Sequence, residues 1–158
     1  MNNKIGIGIA GLGTVGEGFL KQLKKYKTSN KKTSNFELIN IAVKNLRKKR
    51  NVTTKNLPLI KDTLSLASNP KIDIVIELIG GSSGVAYKLV KNSLMNGKSI
   101  ITANKALLAI HGNELIKIAE KNDCFISFEA AIAGGIPVVK AIRENLKFNE
   151  ITKVYGIL

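Results

Sequence analysis

The chain has no tryptophan, one cysteine, one histidine, three prolines and few aromatic rings, five phenylalanines and three tyrosines. Each shortage excludes something. With Cys124 alone, no disulfide can close within the chain, which fits a reducing compartment. Cys124 lies in the apolar run CFISF and reads as a core thiol rather than a reactive one. Scarce aromatics leave the core to Ile, Leu, Val and Ala, and leave little with which to stack on nucleobases. No apolar run approaches the ~20 residues of a membrane span. The opening MNNKIGIGIAGLG carries glycines at turn spacing and lacks a signal peptide's cleavage pattern. The expectation is a soluble, cytoplasmic protein with no membrane partner.

Acidic residues are also scarce, 11 against 25 basic ones, for a net charge of +14 over 158 residues. The basic residues cluster at Lys21, Lys24, Lys25, Lys27, Lys31 and Lys32, and again at Lys44, Arg47, Lys48, Lys49 and Arg50. A nucleic-acid footprint is one reading of such charge. No motif that reads DNA or RNA accompanies it. The reading adopted is a solvated basic surface with a local site for phosphate, and no nucleic-acid partner.

What is present is an alternation of strand and helix patterns. KIGIGIA (4–10) places Ile5, Ile7 and Ile9 at period two, a strand bounded by Gly11. TVGEGFLKQLKKY (14–26) reads as a helix with Val15, Phe19, Leu20 and Leu23 on its apolar face. After a polar loop at 27–35, FELINIAV (36–43) is a second strand, followed by a basic loop to about Lys55. A short helix at 62–68 has Asp62 placed as its N-cap. IDIVIELIG (72–80) is a strand buried on both faces, and Gly80, Gly81 and Gly84 end it. A helix over 86–96 stops at Gly97. KSIIT (98–102) is the next strand, Asn104 caps a helix over 105–121, and CFISFEA (124–130) is one more strand. AGGIP (133–137) then reads as a loop leading into a helix that runs to about Leu146, because proline suits a first helical turn. ITKVYGIL (151–158) reads as the start of a further strand. The pattern predicts an α/β fold of the doubly wound type, a mostly parallel sheet with helices on both faces.

Gly11-Leu12-Gly13-Thr14-Val15-Gly16 is G-x-G-x-x-G between a strand and a helix, the context in which that pattern carries chemistry. Gly11 permits the tight turn, Gly13 lets a pyrophosphate approach the backbone, and Gly16 lets helix and strand pack closely. The helix start offers N–H groups and a partial positive charge to the phosphates. All six residues are candidate contacts in a Rossmann-type dinucleotide site. NAD sites usually carry Asp or Glu near the end of the second strand. Here Val43 is followed by Lys44, Asn45, Leu46 and Arg47, with no carboxylate from Ile39 through Lys61. Lys44 and Arg47 can pair with a 2′-phosphate, which favours NADP and leaves NAD possible.

ELIGG (77–81), GKSIITANKALLA (97–109) and FEAAIAGGIPVVKAI (128–142), together with GLGTVG, resemble homoserine dehydrogenase in sequence and spacing over essentially the whole chain. The resemblance implies NAD(P)H-dependent, reversible reduction of L-aspartate 4-semialdehyde to L-homoserine, in threonine and methionine biosynthesis, by a homodimer. It implies that Lys105 is the lysine beside nicotinamide and substrate carbonyl, a group able to polarise that carbonyl and assist proton delivery. It adds Gly80, Gly81, Thr102, Asn104 and Lys105 to the cofactor contacts. It implies a site for a monovalent cation such as sodium at Glu129 and the backbone carbonyls of Ile132, Gly134 and Ile136, a donor set suited to a hard cation. It divides the chain into a dinucleotide-binding domain at 1–131 and the start of a substrate and dimerisation domain at 132–158. Val85 and Asn45 depart from residues common in the family. The family continues past YGIL into an NGTTN block and a substrate domain with a second catalytic lysine, so the sequence reads as an amino-terminal part that binds cofactor without a full active site. His111 reads as a peripheral loop residue rather than a ligand.

Overall fold

The fold is described by a computed structural model over residues 4–29, 35–132 and 134–156. Among these residues, strands β1 (Ile5–Ala10), β2 (Phe36–Ala42), β3 (Leu59–Ile60), β4 (Ile74–Glu77), β5 (Ser99–Thr102) and β6 (Ile126–Ser127) form one sheet in the order β3-β2-β1-β4-β5-β6. Every pairing is parallel. The helices are α1 (Thr14–Ser29), α2 (Ser65–Ser68), α3 (Val85–Met95), α4 (Lys105–Lys121), α5 (Glu129–Ile132) and α6 (Val138–Lys140), the last continued by a π-helical turn at Ala141–Asn145. Winding runs outward from β1 to β3, then returns to β4 on the other side. The carboxyl ends of β1 and β4 therefore open onto a crevice, the place where such sheets bind ligands.

Two apolar clusters cover the two faces. On one, Leu20 with Phe19 and Leu23 of α1 packs on Ile7, Ile9, Ile41, Val43 and Ile76. On the other, α2, α3 and α4 bring Leu66, Leu89, Val90, Leu94, Leu107 and Leu115 onto Val75 and Ile100. Helix α3 buries Ala86, Leu89, Val90, Ser93 and Leu94, the spacing of a single helical stripe. Val15, expected on the apolar face of α1, is instead 59% exposed at the helix start, beside the crevice.

In β1 the period-two reading holds for Ile7 and Ile9 but not for Ile5, which is exposed. The opposite face is not polar. It is made of Gly6, Gly8 and Ala10, all buried. A Cβ on Gly6 would collide with the carbonyl of Lys71, and one on Gly8 would stand 2.8 Å from Cδ1 of Ile72. The glycines let the turn before β4 lie directly on the strand, where Gly6 N–H donates to Asp73 at 2.6 Å. Nearby, the buried Lys98 ammonium donates to the carbonyls of Asn69 (2.7 Å) and Ile72 (2.6 Å). Burial lowers its affinity for the proton, partly offset by Asp73.

Several boundaries differ from the sequence reading. Helix α1 continues to Ser29, and the remainder of the expected polar loop falls mostly outside the described residues. Strand β3 was not foreseen. It follows Pro58, whose carbonyl accepts from Ile41 N–H at 2.9 Å, an edge position that tolerates proline. Asp62 accepts N–H groups of Leu64 and Ser65, capping the turn that leads into α2 rather than α2 itself. The strand expected at 124–130 shrinks to two residues, because Glu129 already begins α5. Residues 151–156 form no strand: no neighbouring strand supplies ladder partners, and Val154 and Tyr155 are 80% and 86% exposed. His111 lies within α4, not a loop, with its ring 4.2 Å from that of Tyr87. Cys124 is half-buried against the core. Burial first, and Asp123 second, push its thiol above the usual range, consistent with an unreactive sulfur.

Candidate functional site

The glycine turn sits at the mouth of the crevice. Gly11 has φ +101°, and a Cβ there would come within 2.6 Å of the Leu78 carbonyl oxygen, so only glycine fits. A Cβ on Gly16 would stand 2.5 Å from the Gly11 carbonyl oxygen. Gly13 differs: it has ordinary φ, and a Cβ would meet nothing within 4 Å. The fold does not require glycine at that position, whereas a ligand on the backbone would. The first i→i−4 bond of α1 is Glu17 N–H to Gly13 carbonyl at 2.8 Å. The N–H groups of Thr14, Val15 and Gly16 thus have no acceptor within the helix, the groups a helix start offers to an anion. Leu12 is 5% exposed and its side chain joins the core, leaving only its backbone for a ligand.

From this turn a cavity of about 790 Å³ extends over Val43, Lys44, Asn45, Arg47, Lys61 and Ile79. Lys44 and Arg47 are exposed and, among the described residues, in no ion pair. Lys61, not singled out in the sequence, joins them through β3. Arg50 plays another part. Its guanidinium donates to the carbonyls of Asn45 (2.8 Å), Lys48 (2.9 Å) and Leu12 (3.4 Å), tying the basic loop to the glycine turn. Glu17 accepts the Asn51 N–H at 3.2 Å and pins the same loop to α1.

On the far side of the crevice lie Gly80 and Gly81, both exposed at φ +82° and +85°, and Lys105, exposed as the first residue of α4. Thr102 and Asn104 are 1% and 6% exposed. Their side chains are engaged by neighbouring protein groups. Asn104 caps α4 by accepting Leu107 N–H at 3.1 Å and donates to the Gly81 carbonyl at 2.8 Å. Thr102 donates to Glu77 at 2.6 Å. Glu77, fully buried, was missed as a site residue. A lone carboxylate in an apolar strand was the signal that could have found it.

Lys105 also borders a cavity of about 390 Å³ lined by Leu108, Ala109, Asn113, Ile116, Phe128 and Ile132. Glu129, half-buried, lines a separate cavity with Lys140, Arg143 and Glu144 and accepts the Lys140 N–H at 3.5 Å. Among the described residues its other carboxylate oxygen accepts no hydrogen bond. Ile132, at the end of α5, and Gly134 and Ile136 after it are exposed. Among the described residues no group of three or more His, Cys, Asp or Glu side chains could hold a metal ion, and no helix is long and apolar enough to cross a membrane.

Comparison with known proteins agrees with this geometry. Residues 11–129 match a family model described as homoserine dehydrogenase, NAD binding domain. The homoserine dehydrogenase of Pseudomonas aeruginosa is 43% identical over 154 residues, 96% of this chain and 35% of that protein. That of Bacillus subtilis is 38% identical over 98% of this chain and 36% of its own. A homoserine dehydrogenase structure from Thiobacillus denitrificans superposes with a TM-score of 0.80 at 40% identity, covering 92% of this chain and 34% of that one. The chain thus spans about a third of the length of the relatives it matches.

Proposed function

This chain belongs to the homoserine dehydrogenase family, and we propose that it holds NADP in its crevice as the cofactor-binding part of an enzyme interconverting L-aspartate 4-semialdehyde and L-homoserine. The observation that carries the reading is Gly13: a glycine the fold leaves open, flanked by helix N–H groups on one side and by Lys44, Arg47 and Lys61 on the other. The backbone of Gly11–Gly16 would cradle the pyrophosphate. Lys44 and Arg47 would pair with a 2′-phosphate, with Lys61 close by, and no carboxylate lines that end to accept a ribose 2′-hydroxyl. The Ile79–Gly81 loop and Lys105 would flank the ring end. A bound nicotinamide would supply or accept hydride. Lys105 would polarise the substrate carbonyl and hold a proton within reach of its oxygen.

Glu129 and the backbone carbonyls of Ile132, Gly134 and Ile136 are proposed to hold a monovalent cation, a carboxylate and neutral oxygens being a donor set suited to a hard cation. The whole enzyme is proposed to act as a homodimer in amino-acid biosynthesis.

The test is a fluorescence titration of NADPH against the unmutated chain and Gly13→Val. Because Gly13 has ordinary φ and open space around it, the variant should melt close to the unmutated protein. Its branched side chain should nevertheless abolish binding by filling the pyrophosphate's place. Unchanged affinity in a folded Gly13→Val protein overturns the assignment.

A further inference from the structure

Glu77 is the most deeply buried charged side chain among the described residues, at 0% exposure, where β4 ends beside β1. A carboxylate removed from water is costly unless hydrogen bonds replace its hydration. Three donors do so here. Oε1 accepts the N–H groups of Ile79 (2.8 Å) and Gly80 (3.0 Å). Oε2 accepts the Thr102 hydroxyl at 2.6 Å. Thr102 Oγ1 in turn accepts the Asn104 N–H at 3.0 Å, and Asn104 reaches back to the Gly81 carbonyl. The result is a closed ring of bonds joining the loop after β4 to the loop after β5.

Among the described residues no cationic side chain bonds to Glu77, so there it is not half of a salt bridge. An apolar residue could fill the same space in a strand whose only task was packing. What the carboxylate adds is a fixed relation between two loops. One carries Gly80 and Gly81, and the other delivers Lys105 one residue after Asn104.

We propose that Glu77 is a positioning residue: through Thr102 and Asn104 it locks the Ile79–Gly81 loop and the first turn of α4 into one unit, so that Lys105 stands at a set place beside the ring end of a bound dinucleotide. This rests on the function proposed above. The side chains of Glu77, Thr102 and Asn104 are spent on protein partners rather than on the ligand, so loss of the ring should appear in catalysis more than in affinity.

Thr102→Val is the decisive variant. It keeps the side chain's shape but takes a donor from Glu77 and an acceptor from Asn104. In the full-length protein, kcat should fall about a hundredfold, the scale of a misplacement near 1 Å, with the NADPH dissociation constant nearly unchanged. Amide exchange at Ile79 and Asn104 should accelerate, and the emission of bound NADPH, which reports the ring's surroundings, should shift. Thr102→Ser, which restores the hydroxyl, should return all three. Glu77→Gln combined with Thr102→Val should be little worse than the worse single variant, because both break one ring. Unchanged exchange and emission in Thr102→Val overturn the proposal, as does a loss confined to affinity. Lys105→Ala, assayed in parallel, separates the two readings. Full turnover there, with shifted emission in Thr102→Val, removes Lys105 from the chemistry and leaves Glu77 as the lock.

Discussion

Three cations of the basic loop do different work although the sequence presents them alike. Lys44 and Arg47 line the cavity and, among the described residues, form no ion pair, while Arg50 spends its guanidinium on three backbone carbonyls. Replacing Lys44 and Arg47 with Ala should therefore weaken NADPH and leave NADH almost untouched. Each lost contact to a charged phosphate is expected to cost about 1.5–3 kcal/mol. Arg50→Ala should weaken both cofactors together, since it loosens the loop against the glycine turn that both use. Isothermal titration of the two nucleotides against each variant checks this. Equal affinities for NADPH and NADH in the unmutated chain would remove the basis for the assignment to NADP.

At the scale of elements, β1 is shaped by what it lacks on one face. Gly6 and Gly8 are not turn residues. They are the strand's close-approach surface for the segment at Lys71 and Ile72. An added methyl at Gly8 meets the tip of the Ile72 side chain, which can turn aside, so Gly8→Ala should cost on the order of 1–3 kcal/mol as ordinary overpacking. At Gly6 it meets a backbone carbonyl, which cannot move without disturbing the entry to β4. Gly6→Ala should be the more damaging of the two, with a lower urea midpoint and, because the carboxyl ends of β1 and β4 frame the crevice, weaker NADPH binding. A Gly6→Ala protein as stable as Gly8→Ala would contradict this account of β1.

At the scale of the molecule, the cavity beside Lys105 offers little to pair the charges of an amino acid. Its lining is apolar apart from Lys105 and Asn113. No carboxylate is present there to meet a substrate ammonium, which must be paired on leaving water. The 158-residue chain should thus bind NADPH yet fail to turn over aspartate semialdehyde, because orienting the substrate supplies ~7–11 kcal/mol of barrier lowering in such reactions. In a polypeptide as long as the relatives, Lys105→Ala should cut turnover sharply with little effect on NADPH binding. Following NADPH absorbance with both proteins side by side tests the two statements. Robust turnover by the 158-residue chain would place the substrate site within these residues.

The sequence by itself determined the order and type of most elements, the glycine turn and the cap at Asn104. Each is written in neighbours a few residues apart, where periodicity, glycine stereochemistry and capping act. The blocks around Lys105 and Glu129 were legible by resemblance in the same local way. Tertiary structure decided what depends on residues distant in the chain. It paired β3 with β2 across a proline, and made Gly6 and Gly8 a packing surface for residues more than sixty positions away. It also closed the ring of Glu77, Thr102 and Asn104, which engages the buried side chains of Thr102 and Asn104. A hydrogen bond spanning twenty-five residues leaves no periodic trace. It exists only once parallel pairing sets β4 and β5 side by side, with Glu77 level with Thr102.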